Sequence, residues 1–198
     1  MRILNSLIEQ AKNPNGWVGS FMLRMMNTVH TGMNKWAFKK LPLEKDSIML
    51  DIGCGGGKTI QALSKIIPEG KIYGIDYSEQ AVKDSIQANF KDVETGKVTI
   101  FKADVTNAPF QEKFFDTITG FQTHYFWDDI ESGVKEIFRI LKHGGCVLLV
   151  AEVYKMNYHM ESYKTKDEME QLLINTGFHN VISYENKNKG WLMVKGSK

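Results

Sequence analysis

The sequence predicts a doubly wound α/β domain, a mostly parallel sheet of seven strands that ends in an antiparallel hairpin and is preceded by a helical segment. Three observations carry this. From residue 47 onward, short β-rich runs alternate with stretches of helical periodicity. The first run leads directly into a turn with four glycines in five residues, and the last two runs are separated only by the polar turn Glu185-Asn186-Lys187-Asn188-Lys189-Gly190. Strands that alternate with helices need right-handed crossovers, so their sheet is parallel and covered on both faces, while the terminal hairpin adds an antiparallel edge.

Each element has its own signal. Residues 1–45 carry a helical stripe of Met22, Met25, Met26, Val29, Met33, Trp36 and Ala37. Methionine packs adaptably, so this segment is expected to form a lid or cap over a ligand pocket, against the plainer alternative of a helix fixed on the core. Residues 46–198 form the main domain. Ser47 to Ile52 reads as the first strand, followed by a helix with Ile60, Leu63 and Ile67 on one face. Lys71 to Ile75 is the second strand, and Ser78 caps a helix carrying Val82, Ile86 and Phe90 at spacing four. Val98 to Lys102 and Phe114 to Phe121 give strands three and four. Ile130, Val134, Ile137, Phe138 and Leu141 then mark a helix expected to stop at Gly144 and Gly145. Cys146 to Ala151 is strand five, Asp167 to Thr176 a helix with Met169, Leu172 and Leu173 inward, and Val181 to Tyr184 and Trp191 to Val194 the hairpin.

Composition narrows the function. At roughly 150 residues per domain, 198 residues make one domain with an appendage. Apolar residues at 42% and charged residues at 24% suit a folded core, which excludes disordered and fibrous classes. Twenty-five basic against 23 acidic residues leave +2, too little for a whole-molecule field toward nucleic acid or anionic membrane. The longest apolar run, Cys146 to Ala151, is far short of the roughly 20 residues that cross a bilayer, and the first residues are too polar for a secretory signal, so a cytoplasmic location is expected. Cys54 and Cys146 are read as two reduced thiols at strand ends, and no metal site is indicated.

In Asp51-Ile52-Gly53-Cys54-Gly55-Gly56-Gly57-Lys58-Thr59 the glycines let the backbone turn sharply and approach a ligand closely. A triphosphate loop would need glycine five positions before Gly57-Lys58-Thr59, where Ile52 stands. A dinucleotide fingerprint would need a third glycine where Lys58 stands, which disfavours NAD and FAD. Asp51 is also a poor neighbour for pyrophosphate and a sensible one for a ligand that carries positive charge.

The stretch Asp51 to Gly57 resembles motif I of class I S-adenosylmethionine-dependent methyltransferases, and three further features stand in register with it. Asp76 ends strand two, 19 residues after Gly57; Asp104 ends strand three in Lys102-Ala103-Asp104-Val105; and Leu141-Lys142-His143-Gly144-Gly145 matches the turn before strand five. The resemblance covers about residues 46–152 and implies a Rossmann-like fold with S-adenosylmethionine as cofactor. By that resemblance Asp51 organises the methionine end, Gly53 and Gly55 admit it, Asp76 takes the ribose hydroxyls, Tyr77 packs on adenine or ribose, and Asp104 faces the adenine amino group. Val105 and Gln122 complete the implied cofactor set.

The sulfonium is already an activated electrophile, so the protein needs chiefly to hold an acceptor in line and exclude water. The expected acceptor wall is Gln122-Thr123-His124-Tyr125-Phe126-Trp127-Asp128, with a second from Tyr154, Met156, Tyr158, His159, Met160 and Tyr163 and a third from Trp17, His30, Asn34 and Trp36. His124 is the favoured base, with His30 and His159 as alternatives; His143 and His179 read as surface residues. Trp17, Trp36, Tyr125, Trp127, Tyr154 and Tyr158 are the expected substrate contacts. The family's amino-group methylators typically carry an Asn-Pro-Pro-Tyr type motif after strand four, and this chain has no proline in that stretch, so the resemblance disfavours exocyclic amines. A small-molecule acceptor, with no nucleic acid and no membrane as partner, is the expectation. The alternatives are RNA or protein methylation, or a cofactor-binding module without turnover.

Overall fold

The computed structural model describes residues 31–41 and 43–198. Residues 31–38 are helical (α1). The chain then alternates as β1 Ile48–Ile52, α2 Lys58–Ile66, β2 Lys71–Asp76, α3 Glu79–Ala88, α4 Phe90–Glu94, β3 Val98–Lys102, β4 Phe115–Phe121, α5 Ile130–Ile140, β5 Leu141–Glu152, α6 Val153–His159, α7 Lys166–Thr176, β6 His179–Asn186 and β7 Trp191–Ser197. The seven strands lie in the order β3-β2-β1-β4-β5-β7-β6, with only the pairs made by β7 antiparallel. The expected doubly wound sheet and its terminal hairpin are therefore present.

Alternation along the central strands divides the core between two faces. Leu50, Ile118, Val147, Leu149 and Ala151 pack under α5 and α7. Met49 and Ile72 on the opposite face meet Ile60 and Leu63 of α2 and Val82 of α3. On that same face Met33 and Ala37 of α1 are buried against Phe121, Leu148, Val150 and Met193. The described end of the methionine stripe is thus packed on the sheet; its earlier residues, Met22 to Val29, lie outside the described residues. Local chemistry sets the helix ends. Ser78 accepts from Ala81 N at 3.2 Å, Asp129 from Ser132 N at 2.9 Å, and Thr165 and Glu168 form a reciprocal capping box on α7.

Two expected boundaries are corrected. Phe90 is not on the inner face of the helix begun at Glu79: that helix ends at Ala88, and Phe90 starts the separate α4 half-exposed. The cause is Asn89, whose carboxamide donates to Ser85 O at 2.9 Å and to Gly57 O at 3.1 Å, joining the break to the glycine turn. The helix before strand five stops at Ile140 rather than at the glycines, because Leu141 already pairs with Phe115 and the register shifts before Thr117 meets Cys146. With β4 between β1 and β5, Cys54 and Cys146 are free and buried. No helix among the described residues is long and apolar enough to cross a membrane.

Candidate active site at the carboxyl ends of the strands

The parallel register brings the ends of β1, β2, β3 and β4 to one rim, the place where open α/β sheets bind ligands. After β1 the chain turns at once, and Gly53 N and Cys54 N both donate to Ile75 O, at 2.8 and 3.1 Å. Gly53 has φ +66°, and a Cβ there would stand 2.1 Å from Thr123 Oγ1, so neither the conformation nor the space admits a side chain. At Gly57, φ +76°, a Cβ would meet Asn89 Nδ2 at 2.4 Å.

Three carboxylates stand at the ends of β1, β2 and β3 in different states. Asp76 accepts from Gly55 N through Oδ2 and from Ser78 N through Oδ1, both at 2.9 Å, which fixes the carboxylate plane; burial raises its pKa and these amides oppose the rise. Asp51 is buried in the sheet, where its register partner Thr119 donates to Oδ1 at 2.8 Å. Burial pushes its pKa up to about 7; the Thr119 hydrogen bond lowers it and the charge of Asp76 adds to the rise. A buried carboxyl poised this way fits a ligand that carries positive charge. Asp104 is exposed, caps the single turn Val105–Asn107 and accepts from Thr106 N and Thr106 Oγ1, both at 2.8 Å. Tyr77 stands exposed beside them with Lys102 Nζ 5.8 Å from its ring. The donor set fits the expected cofactor: a fixed carboxylate for a diol, an acid for an amino group, a buried carboxyl for a cationic end and glycine backbone where the ligand must come close.

The rim beyond β4 is built differently. Gln122, in the left-handed region at φ +56°, donates from its backbone N to Val150 O at 2.7 Å. Its Oε1 accepts from Tyr125 OH at 3.2 Å and Glu152 N at 3.0 Å, so the side chain ties β4 to β5. Thr123 accepts from Trp127 Nε1 at 3.3 Å. His124 is 2% exposed, and neither ring nitrogen has a hydrogen-bond partner among the described residues. Burial holds its pKa down at about 4, so the ring is neutral. Tyr125 stacks on His159 at 5.4 Å, and Phe126 meets the same imidazole edge-on at 4.8 Å, which joins this turn to α6.

The structure brings Asp51, Gly53, Gly55, Asp76, Tyr77 and Asp104 to one side of the rim and His124, Tyr125 and Trp127 to the other. Val105 is buried in the core, where its side chain faces Gly133 of α5. Tyr154 and Tyr158 project from α6, each about two thirds exposed, so they stand at the edge of the wall. Trp36 is half-buried against Trp191, ring centres 5.8 Å apart. Trp17 and His30 lie outside the described residues. His143 and His179 are exposed. Sequence reasoning missed Thr119, which only the β1–β4 register sets opposite Asp51, and the tethering role of Gln122; neither had a local signal.

A family model described as methyltransferase domain matches residues 50–149. The chain is 25% identical over 158 residues to the uncharacterized methyltransferase YdaC of Bacillus subtilis, covering 78% of this chain and 84% of that one. It is 32% identical over 121 residues to a demethylmenaquinone methyltransferase of Staphylococcus aureus, covering 60% of this chain and 48% of the relative. The chain therefore spans about half the length of that relative. A crystal structure of a SAM-dependent methyltransferase from Aquifex aeolicus superposes with a TM-score of 0.69 at 20% identity, over 82% of this chain and 88% of that one. The chain belongs to the methyltransferase-domain family, as a class I S-adenosylmethionine-dependent enzyme of Rossmann-like fold.

Proposed function

We propose that the enzyme transfers the methyl group to a small-molecule acceptor held between the β4 turn and α6. The observation that carries this reading is the buried, neutral His124, whose two ring nitrogens have no hydrogen-bond partner among the described residues, set in an aromatic wall beyond the glycine turn. The name of the demethylmenaquinone methyltransferase relative supports an acceptor of that size. On the cofactor side, Asp76 binds the ribose hydroxyls with the lone pairs its two amide bonds leave, Asp104 faces the adenine amino group, and Tyr77 covers the nucleoside. Asp51 offsets positive charge at the methionine end, and Gly53 and Gly55 admit it closely. Val105 and Gln122 act from beneath, Val105 by seating the Asp104 turn and Gln122 by fixing the ends of β4 and β5.

When bound, the cofactor supplies an activated methyl group on a sulfonium. The chain's own work is orientation and exclusion of water. His124, neutral at physiological pH, takes a proton from an acceptor hydroxyl or thiol or orients it through a hydrogen bond, with His30 and His159 as further candidates. Tyr125, Trp127, Tyr154, Tyr158, Trp36 and Trp17 hold a flat or apolar acceptor, and the segment 1–45 covers it. Calorimetry with S-adenosylmethionine and S-adenosylhomocysteine in chelator should show binding to both. A methylation screen over a metabolite library should then yield a small-molecule product, lost in His124→Leu. Methylation of RNA or protein alone would overturn the acceptor class, and no turnover despite cofactor binding would favour a binding module.

A further inference from the structure

One buried polar side chain near the glycine turn has no role in that reading as a cofactor ligand. Asn34, on α1, is 5% exposed and donates through Nδ2 to Thr59 Oγ1 at 3.1 Å, while its Oδ1 is buried without a hydrogen-bond partner among the described residues. Thr59 is the second residue of α2 and is itself buried, so the Asn34 carboxamide is anchored over the first turn of that helix. An amide oxygen out of water and unpaired is costly, and its presence points to a donor that arrives with a ligand.

The surroundings say what kind of ligand. The nine-residue α2 starts from Gly57 with no side-chain cap and no acidic residue in its first turn, which leaves backbone N–H groups and the positive end of the helix for an anion. Beside it lie two acceptors, Asn34 Oδ1 and, at the end of the strand leading into the same glycine turn, the carboxyl of Asp51. A donor surface for an anion next to acceptors for a cation is complementary to a zwitterion. An α-amino acid group has that form, and the methionine end of the cofactor carries one.

We propose that Asn34 is a cofactor-binding residue, its Oδ1 accepting a hydrogen bond from the ammonium of the cofactor's amino-acid end, whose carboxylate sits at the N-terminus of α2. This rests on the assignment of the rim as the S-adenosylmethionine site. It moves Asn34 from the acceptor wall to the cofactor and makes α1 part of the cofactor pocket.

The test compares two ligands by calorimetry on the full chain: S-adenosylhomocysteine, which has the amino-acid end, and 5′-methylthioadenosine, which lacks it. Asn34→Ala should weaken S-adenosylhomocysteine at least about tenfold, the lower end of the effect for a hydrogen bond to a charged group, and leave 5′-methylthioadenosine within about twofold. Thr59→Val, which removes only the anchor, should give a smaller loss confined to the same ligand. Equal weakening of both ligands, or of neither, in Asn34→Ala would overturn the proposal. Should Asn34→Ala not fold, Thr59→Val decides: selective loss of S-adenosylhomocysteine supports the contact, and an unchanged ratio of the two affinities overturns it. A wild-type chain that binds neither ligand removes the site assignment itself, and the proposal with it.

Discussion

The two halves of the rim use opposite means. Around β1, β2 and β3 the rim is backbone and carboxylate: glycines at positive φ, amides spent on Asp76, and a turn capped by Asp104. Beyond β4 and β5 it is ring against ring, with a buried imidazole that holds no hydrogen bond among the described residues. The first half is fixed by geometry that only certain residue types allow. The second is fixed by packing that many aromatic combinations could achieve. A constant ligand suits the first construction and an acceptor that differs between relatives suits the second.

The largest effect should come where the halves touch. Gly53→Ala would place a methyl 2.1 Å from Thr123 Oγ1 at a φ of +66°. We expect a loss of about 2–4 kcal/mol in denaturant unfolding, from overpacking together with backbone strain. Thr123→Gly should recover part of that loss in the double variant, whereas simple additivity would show that the halves are independent.

Next in size, Asp76→Ala should weaken S-adenosylhomocysteine by about 1.5–3 kcal/mol, read by calorimetry. His124→Leu should leave that affinity nearly unchanged and raise the stability of the free enzyme by about 1 kcal/mol, because it removes buried polar atoms that have no partner among the described residues. A destabilised His124→Leu would mean that the imidazole is hydrogen-bonded in the free enzyme and would overturn its assignment as the group that waits for the acceptor.

Protonation separates the halves again. Asp51 has a folded pKa of about 7, above its ordinary 3.8, so its contribution to stability is full below about 4 and is lost as pH rises through 7. His124 has a folded pKa of about 4, below its ordinary 6.5, so its contribution is full above 6.5 and is lost as pH falls toward 4. Between about pH 4 and 6.5 the two slopes oppose each other. Asp51→Asn should therefore unmask a stability that rises with pH in that window, and His124→Leu one that falls. Parallel slopes in both variants would assign the titrations elsewhere. Cofactor affinity should also drop as pH is lowered through 7, since a cationic end prefers ionised Asp51. The smallest effect belongs to the edge of the wall: Tyr158→Ala, at an exposed site, should change stability by no more than about 0.5 kcal/mol in the same unfolding assay.

The first half was legible in the sequence because its requirements are residue types at fixed spacing. Gly53, Gly55, Asp76 and Asp104 are identifiable without knowing what packs on them, and the parallel sheet with its terminal hairpin followed from the alternation of strands and helices. The rest depended on partners distant in the chain. That Phe90 would leave its helix could not be read from spacing, because the break comes from Asn89 bonding Gly57, a residue 32 positions earlier. Gln122 was singled out by its place just after β4, and that its oxygen serves Tyr125 and Glu152 is known only once β5 is placed beside β4. His124 was singled out by position, and its burial and lack of partners needed the fold.

The Asn89 carboxamide has a consequence for how the molecule opens. It donates at once to the end of α3 and to the last glycine before α2, and the space that a Gly57 side chain would fill is occupied by Asn89 and Ser85. Fraying of α3 at its C-terminal end would break the bond that holds the glycine turn. Local openings here must therefore either stop short of Ser85 or take the turn and the head of α2 with them. Amide hydrogen exchange should find α3, the glycine turn and α2 leaving as one cooperative unit, so that the loop most in need of backbone freedom to meet a ligand is denied the freedom to unfold alone.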